Sequence, residues 1–302
     1  MFNALKKRRK LWMLLIVCIG ITIGVLRYLH WDERVLFLWQ EHNTSAQQQT
    51  VSIWLPDYRA LIQAKPLTGL QEAETSGLSW SPLSNTLFTV TSRVPKLVEL
   101  SLRGEVLRVV ELRGFSDPEG VAVLHDGRIA IIEERRAQLT VFHLPPDTQS
   151  IDAEALSSIS LGSRAAGNKG FEGIALDARN QRILLAKERS PSGLYSLALP
   201  EAKNGLAVLE QTLQELPSKQ VFMRDFSSLA IDPRTGHLLV LSDASRMLIE
   251  LDAQGDPVSF ISLSRGLNGL ARSIKQAEGV AIDARDTIYI VGEPNLFYVF
   301  EK

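Results

Sequence analysis

Cysteine is nearly absent: one residue, Cys18, in a chain of 302. That excludes an internal disulfide framework, a cysteine-based zinc site and a CxxC redox pair. Histidine is almost as scarce. His30 and His42 lie in or near the N-terminal segment, and His125, His143 and His237 fall at turns or strand edges without metal-ligand spacing. No catalytic histidine is expected, and the chain holds no GxSxG elbow, HExxH pair, P-loop or EF-hand loop. Ser76 has no identifiable base that would make it a nucleophile. A surplus of positive charge is missing from the body as well, since residues 57–302 carry 26 basic and 31 acidic residues. Phosphate recognition needs a basic surface, so a nucleic-acid-binding body is not expected. With 45% hydrophobic and 22% charged residues, the chain has enough apolar material to bury a large core.

The N-terminus, by contrast, is strongly basic. Lys6-Lys7-Arg8-Arg9-Lys10 precedes residues 11–26, a run without a charge, and Arg27, Tyr28, Leu29, His30 and Trp31 follow. At about 1.5 Å per residue, residues 11–29 reach roughly 28 Å, enough to cross the hydrocarbon layer when Arg27 snorkels. A basic flank on the N-terminal side predicts a cytoplasmic N-terminus and an exported body. Three rivals fit less well. A cleaved signal peptide wants a small-x-small site after the apolar run, a lipoprotein wants a small residue where Val17 precedes Cys18, and a soluble core helix would not carry the pentabasic flank. The expected division is a cytoplasmic tip and anchor over 1–30, a polar spacer over 31–53, and the body over 54–302.

The body repeats. Five segments share a short acidic or Ser-containing turn, a small residue and an alternating apolar strand, around Ser76, Glu119, Glu172, Ser227 and Glu278, at steps of 43, 53, 55 and 51 residues. Such a period fits a four-stranded propeller blade with variable loops. The fourth repeat shows the strands directly: residues 229–231, 237–241, 247–251 and 257–263, with Gly, Pro and Asp in the turns. The last repeat ends one strand short, because the chain stops two residues after Phe300. A closed propeller leaves no open sheet edge, so the alternating stretch 57–67 is expected to supply the missing outer strand. The predicted fold is all-β, a five-bladed β-propeller with an N-terminal transmembrane helix.

Two acidic columns carry the chemistry. The first, at the start of each inner strand, holds Ser76, Glu119, Glu172, Ser227 and Glu278, with Glu74, Asp117 and Asp225 beside it. The second holds Ser92, Glu134, Glu188, Asp243 and Glu293, offset from the first by 16, 15, 16, 16 and 15 residues. In an antiparallel hairpin the start of one strand lies beside the end of the next, so both columns should rim one face of the disc. One reading is turn chemistry alone, with Gly or Ser allowing close approach near a crowded axis. The other is a metal site: Glu119, Glu172 and Glu278 converging on the channel around one calcium ion, with Asp225 and Glu74 as further ligands. Oxygen-only ligation suits a hard cation. Two like charges about 4 Å apart at an effective dielectric near 20 repel by about 4 kcal/mol, which a cation or a proton must offset.

The segments Glu74-Thr-Ser-Gly-Leu, Leu87-Phe-Thr-Val, Gly170-Phe-Glu-Gly, Leu239-Val-Leu-Ser-Asp243, Gln276-Ala-Glu-Gly279 and Glu293-Pro-Asn-Leu-Phe-Tyr298, in this order, resemble the SdiA-regulated (YjiK-like) family from about residue 54 to 302. The resemblance implies a five-bladed propeller, distantly similar to NHL-repeat proteins, with a calcium site, in a bacterial envelope. The expected role is that of a calcium-binding propeller, held in the inner membrane and facing the periplasm, which binds an envelope ligand or protein partner. The alternative is a metal-dependent hydrolase of lactonase, esterase or phosphatase type using the channel cation.

Overall fold

Short apolar runs punctuated by turn residues fold, in the computed structural model, into five sheets, each forming one blade of a propeller with antiparallel blade strands. The structure describes residues 2–28, 31–162, 170–188, 193–199, 208–210, 213–216 and 223–302. Leu29 and His30, at the far end of the expected anchor, lie outside them.

Residues 1–43 form one unit and residues 44–302 another. In the first, helix α1 (Phe2–Tyr28) contains the stretch Arg8–Arg27, long and apolar enough to cross a membrane. Thr22 donates its hydroxyl to the Cys18 carbonyl at 2.9 Å, the bond one turn back that Thr makes within helices. Helix α2 (Trp31–Asn43) completes this unit, and α3 (Ala46–Thr50) opens the next with a Ser45 capping box. The polar stretch 31–53 thus holds two helices. The second unit begins at residue 44, so α3 and the residues that follow it group with the propeller strands. Ile53 and Leu55 are buried in the core of blades 4 and 5.

Blade 1 comprises Thr75–Ser81, Thr86–Thr91, Lys96–Leu100 and Val106–Arg113, counted outward from the axis. Blade 4 repeats it with Ser228–Ile231, Leu238–Ser242, Met247–Leu251 and Pro257–Ser262. Blade 5 takes three strands from the C-terminus, Ala277–Ile282, Ile288–Gly292 and Leu296–Glu301, and its outer strand, Arg59–Pro66, from the start of the body. That strand runs antiparallel from Arg59 opposite Glu301 to Pro66 opposite Leu296. Both of its ends are pinned: Tyr58 donates to the Asp286 carbonyl at 2.6 Å, and Leu67 and Asn295 exchange two bonds of 2.8 and 3.0 Å. Closure of the ring therefore joins the two ends of the propeller's sequence in one sheet, which abolishes an open edge.

Two edges are covered in a way the repeat pattern did not show. Ser150–Asp152 adds in parallel to the outer strand of blade 1, and Val208–Glu210 adds in parallel to Ser158–Ser160, the outer strand of blade 2 after Pro118–Val123, Ile129–Glu133 and Gln138–Phe142. The core lies between blades. Leu239 and Leu241 of blade 4, for example, pack with Val280, Ile288 and Ile290 of blade 5.

The inner strands share a pattern that positions both ends of the channel: a small residue, an apolar one, a small one and a large apolar one. The last place is held by Trp80, Val123, Leu176, Ile231 and Ile282, and the small place before it by Ser79, Ala122, Ala175, Ala230 and Ala281. Adjacent inner strands touch at the glycines. A Cβ on Gly120 would lie 2.4 Å from the Glu172 carbonyl oxygen, and one on Gly77 (φ +59°) would lie 2.9 Å from the Gly120 Cα. The close approach near a crowded axis is thus present, and it coexists with the acidic columns.

Candidate functional site

Each glutamate of the first column sits at a break in strand register. In blade 2, Pro118 faces Glu133 and Gly120 faces Ile132, so Glu119 has no partner across the ladder. Glu172 is skipped likewise between Phe171 and Gly173, and Glu278 between Ala277 and Gly279. A bulge bends the strand and re-aims the side chain of its extra residue. In blade 1 the skipped residue is Gly77, so no carboxylate is presented there. Left-handed backbone at Asp117 (φ 59°) and Gln276 (φ 46°) leads into two of these bulges.

Hairpin bonds then bring the second column alongside the first. The Glu134 amide donates to the Asp117 carbonyl at 3.0 Å, Glu188 to Gly170 at 3.2 Å and Glu293 to Gln276 at 2.9 Å. Both columns therefore rim the same face. Carboxylates of the second column also tie neighbouring blades: Glu134 accepts from the Gly170 amide at 3.0 Å, and Asp243 from the Ala277 amide at 3.2 Å.

The first-column glutamates are the electrostatically unusual groups. Burial, followed by the nearby Glu188, Glu278, Glu119 and Glu134, pushes the Glu172 carboxyl up to about 10. Burial raises Glu119 to about 9; the Ser76 hydroxyl opposes the rise, and Asp117, Glu278 and Glu134 add to it. Glu278 rises to about 8 through burial, then Asp243, Glu293, Asp225 and Glu188. Burial also raises Glu134, Asp243 and Glu293. Glu119 and Glu278 both add to the rise at Glu172, and Glu278 adds to that at Glu119, so the three lie within electrostatic reach around the axis. Glu172 and Glu278 make no hydrogen bond among the described residues.

Among the described residues, Asp117, Glu119 and Glu134 form a set in which one carboxylate oxygen from each lies within 4.8 Å of the other two. The expected metal residues thus meet different fates. Glu119 belongs to the close set. Glu172 and Glu278 line the same mouth without joining it. Asp225 is committed elsewhere: it is buried, accepts from the Ser242 hydroxyl, and takes the Ala244 amide at 3.1 Å, closing a turn of blade 4. Glu74 lies at the rim, 3.5 Å from Arg93. Ser76 and Ser227 act as ties around the ring, donating to the carbonyls of Glu119 and Ala277 at 2.7 Å each. Asp117 and Glu134 were visible in the sequence as neighbours of the first column and members of the second. What marks them as partners of Glu119 is the register that lays the two columns side by side.

This donor set is all oxygen, anionic and clustered, which suits a hard divalent cation. Glu119, Asp117 and Glu134 would hold it, with Glu172 and Glu278 facing the same space. A cation held there would supply charge neutralisation, and a Lewis acid where a coordination position stays open.

A closed five-bladed propeller with an acid-lined mouth at the start of its inner strands is the class of protein defined by these features. Residues 50–301 match the SdiA-regulated family, and the chain belongs to that family. The fold is similar to that of XC5397 from Xanthomonas campestris, a gluconolactonase, at 16% identity and a TM-score of 0.51 over 85% of this chain and 93% of that one. Two further similar structures are a virginiamycin B lyase from Staphylococcus aureus (10% identity, TM-score 0.49, 82% and 100% covered) and the calcium-binding protein regucalcin from Agrobacterium tumefaciens (12%, 0.47, 78% and 92%). At these identities the likeness concerns the fold alone.

Proposed function

We propose that this chain is a membrane-anchored propeller that holds one calcium ion at its acidic mouth and binds an envelope ligand or protein partner at that face. The carrying observation is the set Asp117, Glu119 and Glu134, within 4.8 Å, beside two further glutamates without hydrogen bonds among the described residues. Arg135 offsets the charge of Asp117 at 2.9 Å, and at the separation within the set Glu119 and Glu134, when both are ionised, repel by about 4 kcal/mol, which protons or a cation in the mouth offset. The basic flank of α1 orients the N-terminus to the cytoplasm and the propeller to the periplasm. A reporter fused after residue 60 should be active outside the cytoplasm, and cytoplasmic activity would reverse that topology.

Calcium titration of the full chain by calorimetry tests the metal. Exported modules bind calcium at roughly 10⁻⁴ to 10⁻³ M, and that range is expected here. Glu119→Gln should weaken binding at least about tenfold, the cost of one charged oxygen ligand. Equal affinities for wild type and Glu119→Gln would remove the ion from this position. A hydrolase reading draws on Glu172, whose raised carboxyl is protonated at neutral pH and so suited to donate a proton. Turnover of a lactone, ester or phosphoester that requires calcium and is lost in Glu172→Gln would establish it; fold alone does not.

A further inference from the structure

The inner strands carry the chain from the acidic mouth to the opposite end of the channel, where a cavity of about 240 Å³ opens. All five blades contribute to its wall. The large apolar position of the inner strands forms the ring around it, and the small position, as Ser79, Ala175, Ala230 and Ala281, leaves the space inside. Trp80, Leu176 and Ile231 are only half-buried there. Water gains little from such a surface, whereas an apolar group of matching size gains its full transfer free energy.

The polar groups at this rim are unevenly committed. Asp126 is held by Arg128 at 2.7 Å, Asp177 by Arg182 at 2.7 Å, and Asp232 by the Thr235 amide at 2.9 Å and by its hydroxyl, with the Arg234 guanidinium at 4.0 Å. The cationic side differs. Arg179 makes no ion pair among the described residues. Its guanidinium is fixed instead by the carbonyls of Pro233, Arg234 and Thr235, at 2.7 to 3.1 Å, over Gly236, where a Cβ would come within 2.6 Å of it. His125 is exposed and makes no hydrogen bond among the described residues. The carboxylates are therefore neutralised locally, while a fixed cation and an open imidazole border the cup. The acidic mouth lies about 13 Å away, four residues along the strand from Glu172 to Leu176, beyond a Debye length of about 8 Å, so its repulsion of an anion here is weak.

We infer that this cup binds a small molecule with a compact apolar body and one carboxylate, of the aromatic or branched-chain monocarboxylate class, with the body inside the ring and the carboxylate facing Arg179 and His125. The cavity is smaller than the roughly 300 Å³ at which drug-sized sites begin, which restricts the occupant to a fragment-sized body. This site is independent of the calcium reading, and the two can fail separately.

The test uses the full chain in lipid nanodiscs, with empty nanodiscs subtracted, and ligand-observed NMR with 3-phenylpropionate, 3-phenylpropionamide and acetate as probes. Saturable binding of 3-phenylpropionate is expected, about tenfold weaker for the neutral amide, the loss of one charge-assisted contact, and undetectable for acetate. Ala230→Leu fills the cup and should abolish binding. Arg179→Gln alters only the rim, and should weaken the carboxylate about tenfold while leaving the amide unchanged, a readout that holds whether or not Ala230→Leu folds. No saturable binding of 3-phenylpropionate, equal binding of its amide, undiminished binding by a folded Ala230→Leu, or an Arg179→Gln variant that binds the acid as tightly as wild type would each overturn the inference.

Discussion

Raising the pH in the presence of a chelator should destabilise this propeller, and calcium should reverse the effect. Glu119, Glu172 and Glu278 rise to about 9, 10 and 8 in the folded chain, against 4.5 for a free glutamate. Between those values the folded state holds protons that the unfolded chain has released. Their contribution to stability is fully present below about 4.5 and is lost as the pH climbs through about 8 to 10. Asp126 and Asp177, lowered by their hydrogen bonds against a partial opposing burial, act in the opposite sense, but their contribution is lost only at acid pH. One retained proton costs about 1.4 kcal/mol per pH unit, or about 4 kcal/mol between pH 6 and pH 9. Repulsion makes the three groups ionise in turn, and water at the open mouth screens them, so about 2 kcal/mol is the working figure. For a domain of this size that is a fall in Tm of about 4 to 8 °C. The assay is thermal unfolding of the full chain in EDTA at pH 6 and pH 9, repeated in millimolar calcium. Calcium should raise Tm more at pH 9, where it no longer competes with protons, and Glu172→Gln should flatten the pH slope. A Tm in EDTA that is level or rises between pH 6 and pH 9 would refute the argument.

Gly120→Ala should destabilise by about 3 kcal/mol, because its Cβ meets the Glu172 carbonyl at 2.4 Å and neighbouring inner strands must part, and a denaturation midpoint close to wild type would contradict that packing. Glu250, fully buried, accepts from the amides of Ile53 and Trp54 at 2.7 and 3.1 Å, from Ser259 at 2.6 Å, and lies 2.6 Å from His237 Nδ1. Glu250→Ala should therefore cost about 3 kcal/mol and open residues 44–55 to limited proteolysis, an outcome excluded if the cleavage pattern is unchanged. Removal of residues 1–43 should leave a folded propeller, whereas removal of 1–67 strips the outer strand of blade 5 and should produce aggregation. Equal solubility of the two truncations would argue against closure by Arg59–Pro66.

Much of this architecture can be read along the chain. The five repeats, the two columns and the missing last strand all follow from period-two apolar runs and turn residues, which are local properties. The pairing of Arg59–Pro66 with Leu296–Glu301 was legible for the same reason, since a strand with no partner and a blade short of one imply each other. Glu250 also left a trace, as a charge inside the apolar run Met247–Leu251, although nothing in the sequence tells that its partners are Ile53 and Trp54. The tertiary structure decided what each acid does. Glu119, Glu172 and Glu278 became the members of their strands without a partner across the ladder through one-residue bulges, which no periodicity reveals. Asp225, which stands two residues before the column as Asp117 does, was drawn into a turn by Ser242 and Ala244. The cup around Trp80 and Ile231 likewise exists only because five strands, far apart in sequence, meet at one axis. Pattern depends on neighbours along the chain, whereas burial, charge and ligand geometry depend on neighbours across the ring, and only closure brings those together.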